Sequence, residues 1–294
     1  MIRNHWRRFR GKLRRTQSVD VLQSVPTNDV TNRMRRQLDD ALQQAYGSHW
    51  RTPRVEQLGS AIQLQQKRVN ENEHDGAALF ALLVLRGPLA TRAQEQMDKH
   101  PQGFRNKEAR VLELIDFNDA FVSTVLALRE EERAGFVEQM QHEIASFCKQ
   151  VGARMFSDEQ WDAITRGLSR EIAVYLGAIK EGFHVRMTSR REDAMGVDMV
   201  IMDRDSGRSL NVDVKTPSSY RYRLQDLVRE GRMDEQSAAQ ADIDGYAKEI
   251  NGHGDEAVRV TLMRVDPNEV GDIEGFEFVR PDMLARQLRE MFSS

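Results

Sequence analysis

The sequence predicts a protein of the α+β or α/β class in two parts, an all-helical region followed by a region in which helices alternate with the strands of a mixed sheet. Three observations carry this prediction. Apolar residues recur at spacings of three and four from about Asp29 to Arg154, which gathers them on one face of a helix. Near Met155 the character changes, and β-branched segments bounded by turn residues appear. Two of these, 196–203 and 209–216, flank Arg204-Asp205-Ser206-Gly207-Arg208, a hairpin turn whose Gly accepts positive φ without steric cost.

Taken in order, the chain begins with an Arg-rich arm, residues 1–20. Seven of its 43 basic residues fall in the first 15 positions with no acid among them, so the start carries +7 and the remainder −10 of a total of −3. Such a block reads as a solvated arm or as a contact with an anionic polymer or surface. No apolar stretch follows it, as a secretory signal would require. A mitochondrial presequence is the lesser alternative to a cytoplasmic protein or a delivered effector. Residues 21–155 form the helical domain. Val111, Leu114, Ile115, Asn118, Phe121, Val122, Val125 and Leu126 give one helix a core-facing side. Gly87-Pro88 and His100-Pro101-Gln102-Gly103 read as helix breaks, because proline lacks the N–H that an α-helix needs. Residues 71–75, Glu-Asn-Glu-His-Asp, read as a polar loop, not a metal site. The longest apolar run, Ala77–Leu85, is nine residues, against the roughly 20 that span a bilayer. On that count no membrane-spanning segment is expected.

The third part, residues 156–294, opens with Ser157-Asp158-Glu159-Gln160, a capping box that starts a helix running to about Glu181, with Gly182 as its stop. Strands are expected at His184–Ser189, Gly196–Asp203 and Ser209–Thr216. A helix follows over Gln236–Ile250, then strands at Ala257–Val265 and Phe276–Arg280, and a last helix over Pro281–Phe292.

Several chemistries are excluded at once. The single cysteine, Cys148, cannot form an internal disulfide, and the seven histidines lack the cysteine partners of a zinc finger. His142-Glu143 lacks the second His of a zinc-protease helix, and Gly252-His253-Gly254 lacks the Lys-Ser/Thr of a phosphate loop. The informative stretch is Gly196-Val-Asp198 and Asp213-Val-Lys215. Side chains alternate along a strand, so Asn211, Asp213 and Lys215 share one face while Leu210, Val212 and Val214 share the other. Asp198 interrupts an otherwise apolar strand, where a charge is costly unless paired or bound to a metal. Across a hairpin turning at Ser206-Gly207 it approaches Asp213 and Lys215. Two adjacent carboxylates repel unless a cation lies between them, and Mg²⁺ or Mn²⁺ suits such hard oxygen donors. Glu171, on the preceding helix, could complete the ligand set. The plainer alternative is an exposed hairpin with a surface ion pair.

The set Glu171, Gly196-Val-Asp198 and Asp213-Val-Lys215 resembles the PD-(D/E)xK nucleases, the restriction-endonuclease-like superfamily. The resemblance covers about 110 of the 294 residues. It implies an αβββαβ core and a Mg²⁺-dependent endonuclease. In that likeness Asp198, Asp213 and Glu171 act as metal ligands, and Lys215 is catalytic beside them. Val197 stands where the motif's Pro would be. Gln240 and Tyr246 do not have the spacing of the RecB-like members, so that motif is not transferred. Of the eight lysines only Lys215 has an acid two positions before it, which makes the match less accidental than the pattern alone.

Nucleic acid is the partner this implies, DNA more readily than RNA. Arg190, Arg191, Arg221 and Arg223 flank the motif and suit phosphate contacts. Thr216, Ser218 and Ser219 could donate to phosphate, and Tyr220 and Tyr222 could stack on bases. Residues 233–294 hold 14 acids against six bases, so nucleic acid is expected over the 186–232 side. A helical module ahead of a small nuclease also fits a toxin or defence nuclease with a neutralising immunity protein, and a homodimer is compatible with it. The competing class is a non-catalytic module that binds nucleic acid or protein on a degenerate nuclease fold.

Overall fold

A computed structural model describes residues 29–49, 53–99, 111–188, 192, 196–251 and 257–293. The Arg-rich arm, Arg190, Arg191 and the expected break at 100–103 lie outside the described residues.

The helical part comprises α1 (Asp29–Tyr46), α2 (Gly59–Glu71), α3 (Gly76–Lys99), α4 (Val111–Ala127), the single turn α5 (Glu130–Arg133) and α6 (Phe136–Gln150). Helix α3 is its axis, buried along most of its length and packed against α1, α2, α4 and α6. The expected break at Gly87-Pro88 does not occur, and α3 continues through Pro88. Packing outweighs the lost backbone hydrogen bond. Ala77 to Leu85, Ala90, Ala93 and Met97 are all buried and need one continuous rod to reach their neighbours. Gly87 makes room for α6, since a Cβ there would lie 2.6 Å from Ile144 Cγ2. By length and composition α3 is also apolar enough to cross a membrane, with an 18-residue window of mean hydropathy 1.3. The nine-residue run alone understated it, but 83% of that window is buried inside the fold.

The residues set aside as structural behave so. Asp75 caps α3, its Oδ1 accepting from the Ala77 and Ala78 N–H groups, which explains the polar 71–75 loop. Glu143 is buried against Arg35, which donates to it from Nε and Nη2 at 3.1 and 2.5 Å. Cys148 is buried and hydrogen-bonded with Thr91, and burial pushes its thiol up to about 12. It is a core side chain.

Helix α7 (Asp158–Lys180) begins on the expected capping box, with the Ser157 hydroxyl accepting from Gln160 N–H and the Gln160 carboxamide accepting from Ser157 N–H. Gly182, at φ +91, follows its end. The sheet has five strands, β1 (His184–Met187), β2 (Met199–Met202), β3 (Ser209–Lys215), β4 (Tyr246–Asn251) and β5 (Ala257–Arg264), in the order β1-β2-β3-β5-β4. It is mixed, as expected. β1, β2 and β3 are successively antiparallel, β3 and β5 are parallel, and β4 returns antiparallel along β5.

The parallel pairing demands a long crossover. This is supplied by α8 (Pro217–Arg229) and α9 (Glu235–Asp244). Neither α8 nor β4 was expected, and the helix expected over 236–250 stops at Asp244, where Gly245 at φ +91 turns the chain into β4. A two-stranded ribbon, β6 (Ile273–Glu274) and β7 (Glu277–Phe278), and α11 (Pro281–Ser293) close the chain, after the short turn of helix α10 (Pro267–Val270).

Two main cores meet at α7. Its Trp161, Leu168 and Ile172 belong to the core of the helical part, while Ala173, Val174 and Ala178 pack with the sheet residues Val185, Met199, Ile201, Val212 and Val214 and with Leu284 and Leu288 of α11. A smaller core, Tyr220, Leu224, Leu227, Ala241 and Leu262, holds α8 and α9 to the opposite sheet face.

Candidate active site

The hairpin sets the first relation in the site. Met202 pairs with Ser209 and Met199 with Val212, where the ladder ends, so Asp198, the next residue outward, is brought to the Val212–Val214 stretch of β3 that contains Asp213. Opposed residues of antiparallel strands project to the same face. The turn that fixes this register is built as its sequence suggests. Gly207 takes φ +67, and the Asp203 carboxylate accepts from the Asp205 and Ser206 N–H groups. One residue's slip of β3 would send Asp213 to the apolar face.

Beyond the Met199–Val212 pair the strands part. Asp198 N–H still donates to Val212 O at 2.8 Å. The next donor on β3, Val214 N–H, is taken by the Asp198 carboxylate at 2.7 Å. A side chain thus replaces a backbone acceptor where the ladder ends, and the fork so formed holds the charged groups. Asp213 is 3% exposed. The Lys215 ammonium folds back to ion-pair with it and reaches Val214 O at 3.5 Å. Burial is the largest influence on Lys215 and pulls its pKa down, but the charges of Asp213, Asp198 and Glu171 outweigh it and hold the ammonium above its ordinary value. The three sequence-predicted carboxylates are therefore all within electrostatic reach of Lys215.

Glu171 and Asp198 share a cleft of about 610 Å³. Its sheet side carries His184, Arg186 and Thr188. Thr188 Oγ1 donates to the carbonyls of Val197 and Asp198 at 2.5 and 3.0 Å, which ties the end of β1 to the Asp198 backbone. The opposite side is α4, with Asn118, Asp119 and Ser123. Sequence reasoning treated α4 as core-facing alone and missed this wall. The signal was present, since Asn118, Val122 and Leu126, and Asp119 and Ser123, recur at spacings of four and place small polar residues along one stripe of an apolar helix.

The flanking residues fare unevenly. Tyr220 cannot stack on a base, being 1% exposed with its hydroxyl donating to Ala241 O at 2.8 Å. Tyr222 is exposed, with the Arg229 guanidinium over its ring. Thr216 is the N-cap of α8, its hydroxyl oxygen accepting from Ser219 N–H and lying 3.0 Å from Ser218 Oγ. Arg221 pairs with Asp242 at 3.1 Å and Arg223 with Glu230 at 3.8 Å. These two arginines are engaged within the α8–α9 layer, away from the residues that line the cleft.

Divalent ions with a preference for hard oxygen need only one or two carboxylates, the rest of the shell being water and substrate oxygens. Asp198 and Asp213 fit that need. Among the described residues no three His, Cys, Asp or Glu side chains are close enough to hold one ion. Glu171 lines the cleft and contributes to the charge at Lys215. Compared with known protein families, with curated proteins and with solved structures, the chain has no match.

Proposed function

We propose that the protein is a metal-dependent nuclease with a restriction-endonuclease-like core, which hydrolyses phosphodiester bonds using Asp198, Asp213, Lys215 and Glu171. One observation carries the reading. The Asp198 carboxylate takes the Val214 N–H between Asp213 and Lys215, Lys215 is in ion-pair contact with Asp213, and the charges of Asp213, Asp198 and Glu171 all act on that ammonium. The order of α7, β1, β2, β3, a crossover helix and the parallel β5 supports the αβββαβ core.

Asp198 and Asp213 would hold Mg²⁺ or Mn²⁺, which when bound supplies charge to a phosphate oxygen and acidifies a bound water. Lys215 remains protonated at neutral pH, because its three carboxylate neighbours favour the charged form. It therefore acts as a fixed cation. Its Nζ orients a water by hydrogen bonding and offsets the negative charge that builds on the phosphate in the transition state. Glu171, across the cleft from the α4 wall, is an acceptor for a proton or for a water. Asn118 and Ser123 offer neutral donors to a bound strand, and DNA is the default substrate, with RNA the alternative.

The test is incubation of the purified chain with plasmid, linear DNA and tRNA, in Mg²⁺, Mn²⁺ or EDTA. Metal-dependent cleavage is expected, falling by about 10²-fold or more in Asp213→Ala and in Lys215→Ala. Parent-like cleavage by both variants, or cleavage undiminished in EDTA, would sink the assignment. A second reading, a non-catalytic binding module on a degenerate fold, draws on the Lys215–Asp213 ion pair, which occupies a prospective ligand. It requires retarded nucleic acid in a gel-shift experiment with no product under any metal condition.

A further inference from the structure

A second cavity, of about 660 Å³, opens on another side of α7. It lies between the helical part, through Arg133 and Gly135, and the sheet part, through Val265, Pro267 and Phe276. Its charged lining is uneven. Arg133 and Arg170 are partly withdrawn from solvent, while the acids Glu138 and Asp272 are exposed. Among the described residues neither acid is within ion-pair distance of an arginine, and Arg170 has no hydrogen-bond or ion-pair partner. Among the described residues the Arg166 side chain is bonded only to the Asp162 carbonyl of its own helix, by Nε at 2.9 Å. Arg133 donates from Nε to Val125 O at 3.3 Å and has a more distant neighbour in Glu277, at 4.0 Å, which is also engaged by Lys180.

Arg166 and Arg170 are four residues apart, so they are neighbours on one helix face. Burial first, and then the charge of Arg166, pull the Arg170 guanidinium below its ordinary pKa, and the attraction of Glu171 offsets them only in part. Like charges held together in this way are relieved by an anion between them, and guanidinium groups match phosphate with paired N–H donors. The Ser169 side chain lies on the same wall. Apart from Thr165 and the two exposed acids, the rest of the lining is apolar or glycine, with Phe276 and Phe278 both buried. Phe276 holds φ +68, the one non-glycine residue with positive φ among those described. Inorganic phosphate would leave most of this volume empty, whereas about 300–1,000 Å³ is the usual size of a small-molecule site.

We propose that this cavity binds a small phosphorylated ligand of nucleotide size, its phosphate held by Arg166 and Arg170 with Arg133 on the facing wall, and its body against the apolar lining. The assignment does not rest on the nuclease reading, since it uses none of the four residues of that site. It is tested by thermal unfolding and calorimetric titration of the full chain with inorganic phosphate, pyrophosphate, ADP and a short oligothymidylate. Saturable binding is expected for ADP, weaker binding for pyrophosphate and weakest for phosphate, with a melting temperature that rises with ligand concentration. Arg170→Gln should weaken ADP binding by about tenfold or more. Arg166→Gln alters an exposed residue, and should weaken binding in the same direction even if the Arg170 variant does not fold. Absence of binding by every probe, ADP binding unchanged in Arg166→Gln, or binding of the oligothymidylate alone would each overturn the proposal.

Discussion

Asp213 and Lys215 stabilise each other at a cost. Each charge is withdrawn from water, with 5% and 28% of the side chain exposed, and the pair is favourable only while both members are present. Asp213→Asn leaves a partly buried ammonium with one counter-charge fewer, and Lys215→Met leaves a buried carboxylate. Each single variant is expected to lose about 1–3 kcal/mol of unfolding free energy. The double variant should lose less than the sum of the two, by about 1 kcal/mol or more, because it removes both charges together. Urea unfolding of the four proteins measures this, and strict additivity would mean that the pair is not coupled. The pair was legible in the sequence because strand alternation and the turn at Ser206-Gly207 determine which residues meet. The Asp198 bond to Val214 N–H was not legible, since it depends on where two strands stop pairing, and periodicity does not encode that point.

At the scale of elements, short-range signals were read well where one force dominated. The capping box at Ser157 and the stop at Gly182 bounded α7 to within a residue or so. Errors arose where two forces competed. Thr216-Pro217 was read as strand end and phosphate donor, although Thr as N-cap with Pro at the first helical position is a helix start. Tyr220, Leu224 and Leu227 then repeat at helical spacing and form the small core under α8. At Gly87-Pro88 the local penalty was read correctly, but it is overridden by burial on every side of α3. This makes Gly87 a sensitive position. Alanine there would gain about 1 kcal/mol in helix propensity. Its Cβ would also strike a methyl of the stiff, β-branched Ile144 at 2.6 Å. Gly87→Ala is therefore expected to be net destabilising by about 1–2 kcal/mol, and the penalty should shrink in an Ile144→Ala background. A stabilised Gly87→Ala protein in a thermal melt would show that α6 yields easily.

The whole molecule is held together across its apparent boundary. A cut at 155 between the helical part and the sheet part follows the change in sequence pattern, but the core of the helical part includes Trp161, Leu168, Ile172 and Phe276, all from beyond that point. Each such side chain exposed costs about 1.5–3 kcal/mol. Residues 156–294 expressed alone should therefore aggregate or melt without a cooperative transition, and a fragment melting within about 5 °C of the full chain would contradict this. The α4 wall of the cleft would be lost with the deleted part, so any residual activity of the fragment would report on a changed site.

Because α7 carries residues of both cores and borders both cavities, its length is more tightly constrained than its composition. A residue added within an α-helix rotates everything beyond it by about 100° and advances it by about 1.5 Å. One alanine inserted between Arg170 and Glu171 would leave Trp161 and Leu168 seated while turning Ala173, Val174 and Ala178 away from the sheet. Substitutions along α7 can be absorbed one at a time by repacking. The insertion has no local repair, and it should abolish the cooperative unfolding transition seen by circular dichroism where single replacements only shift it. Divergence of this chain would thus be expected to proceed by exchange of residues within α7, with gains and losses of length confined to the loops around it.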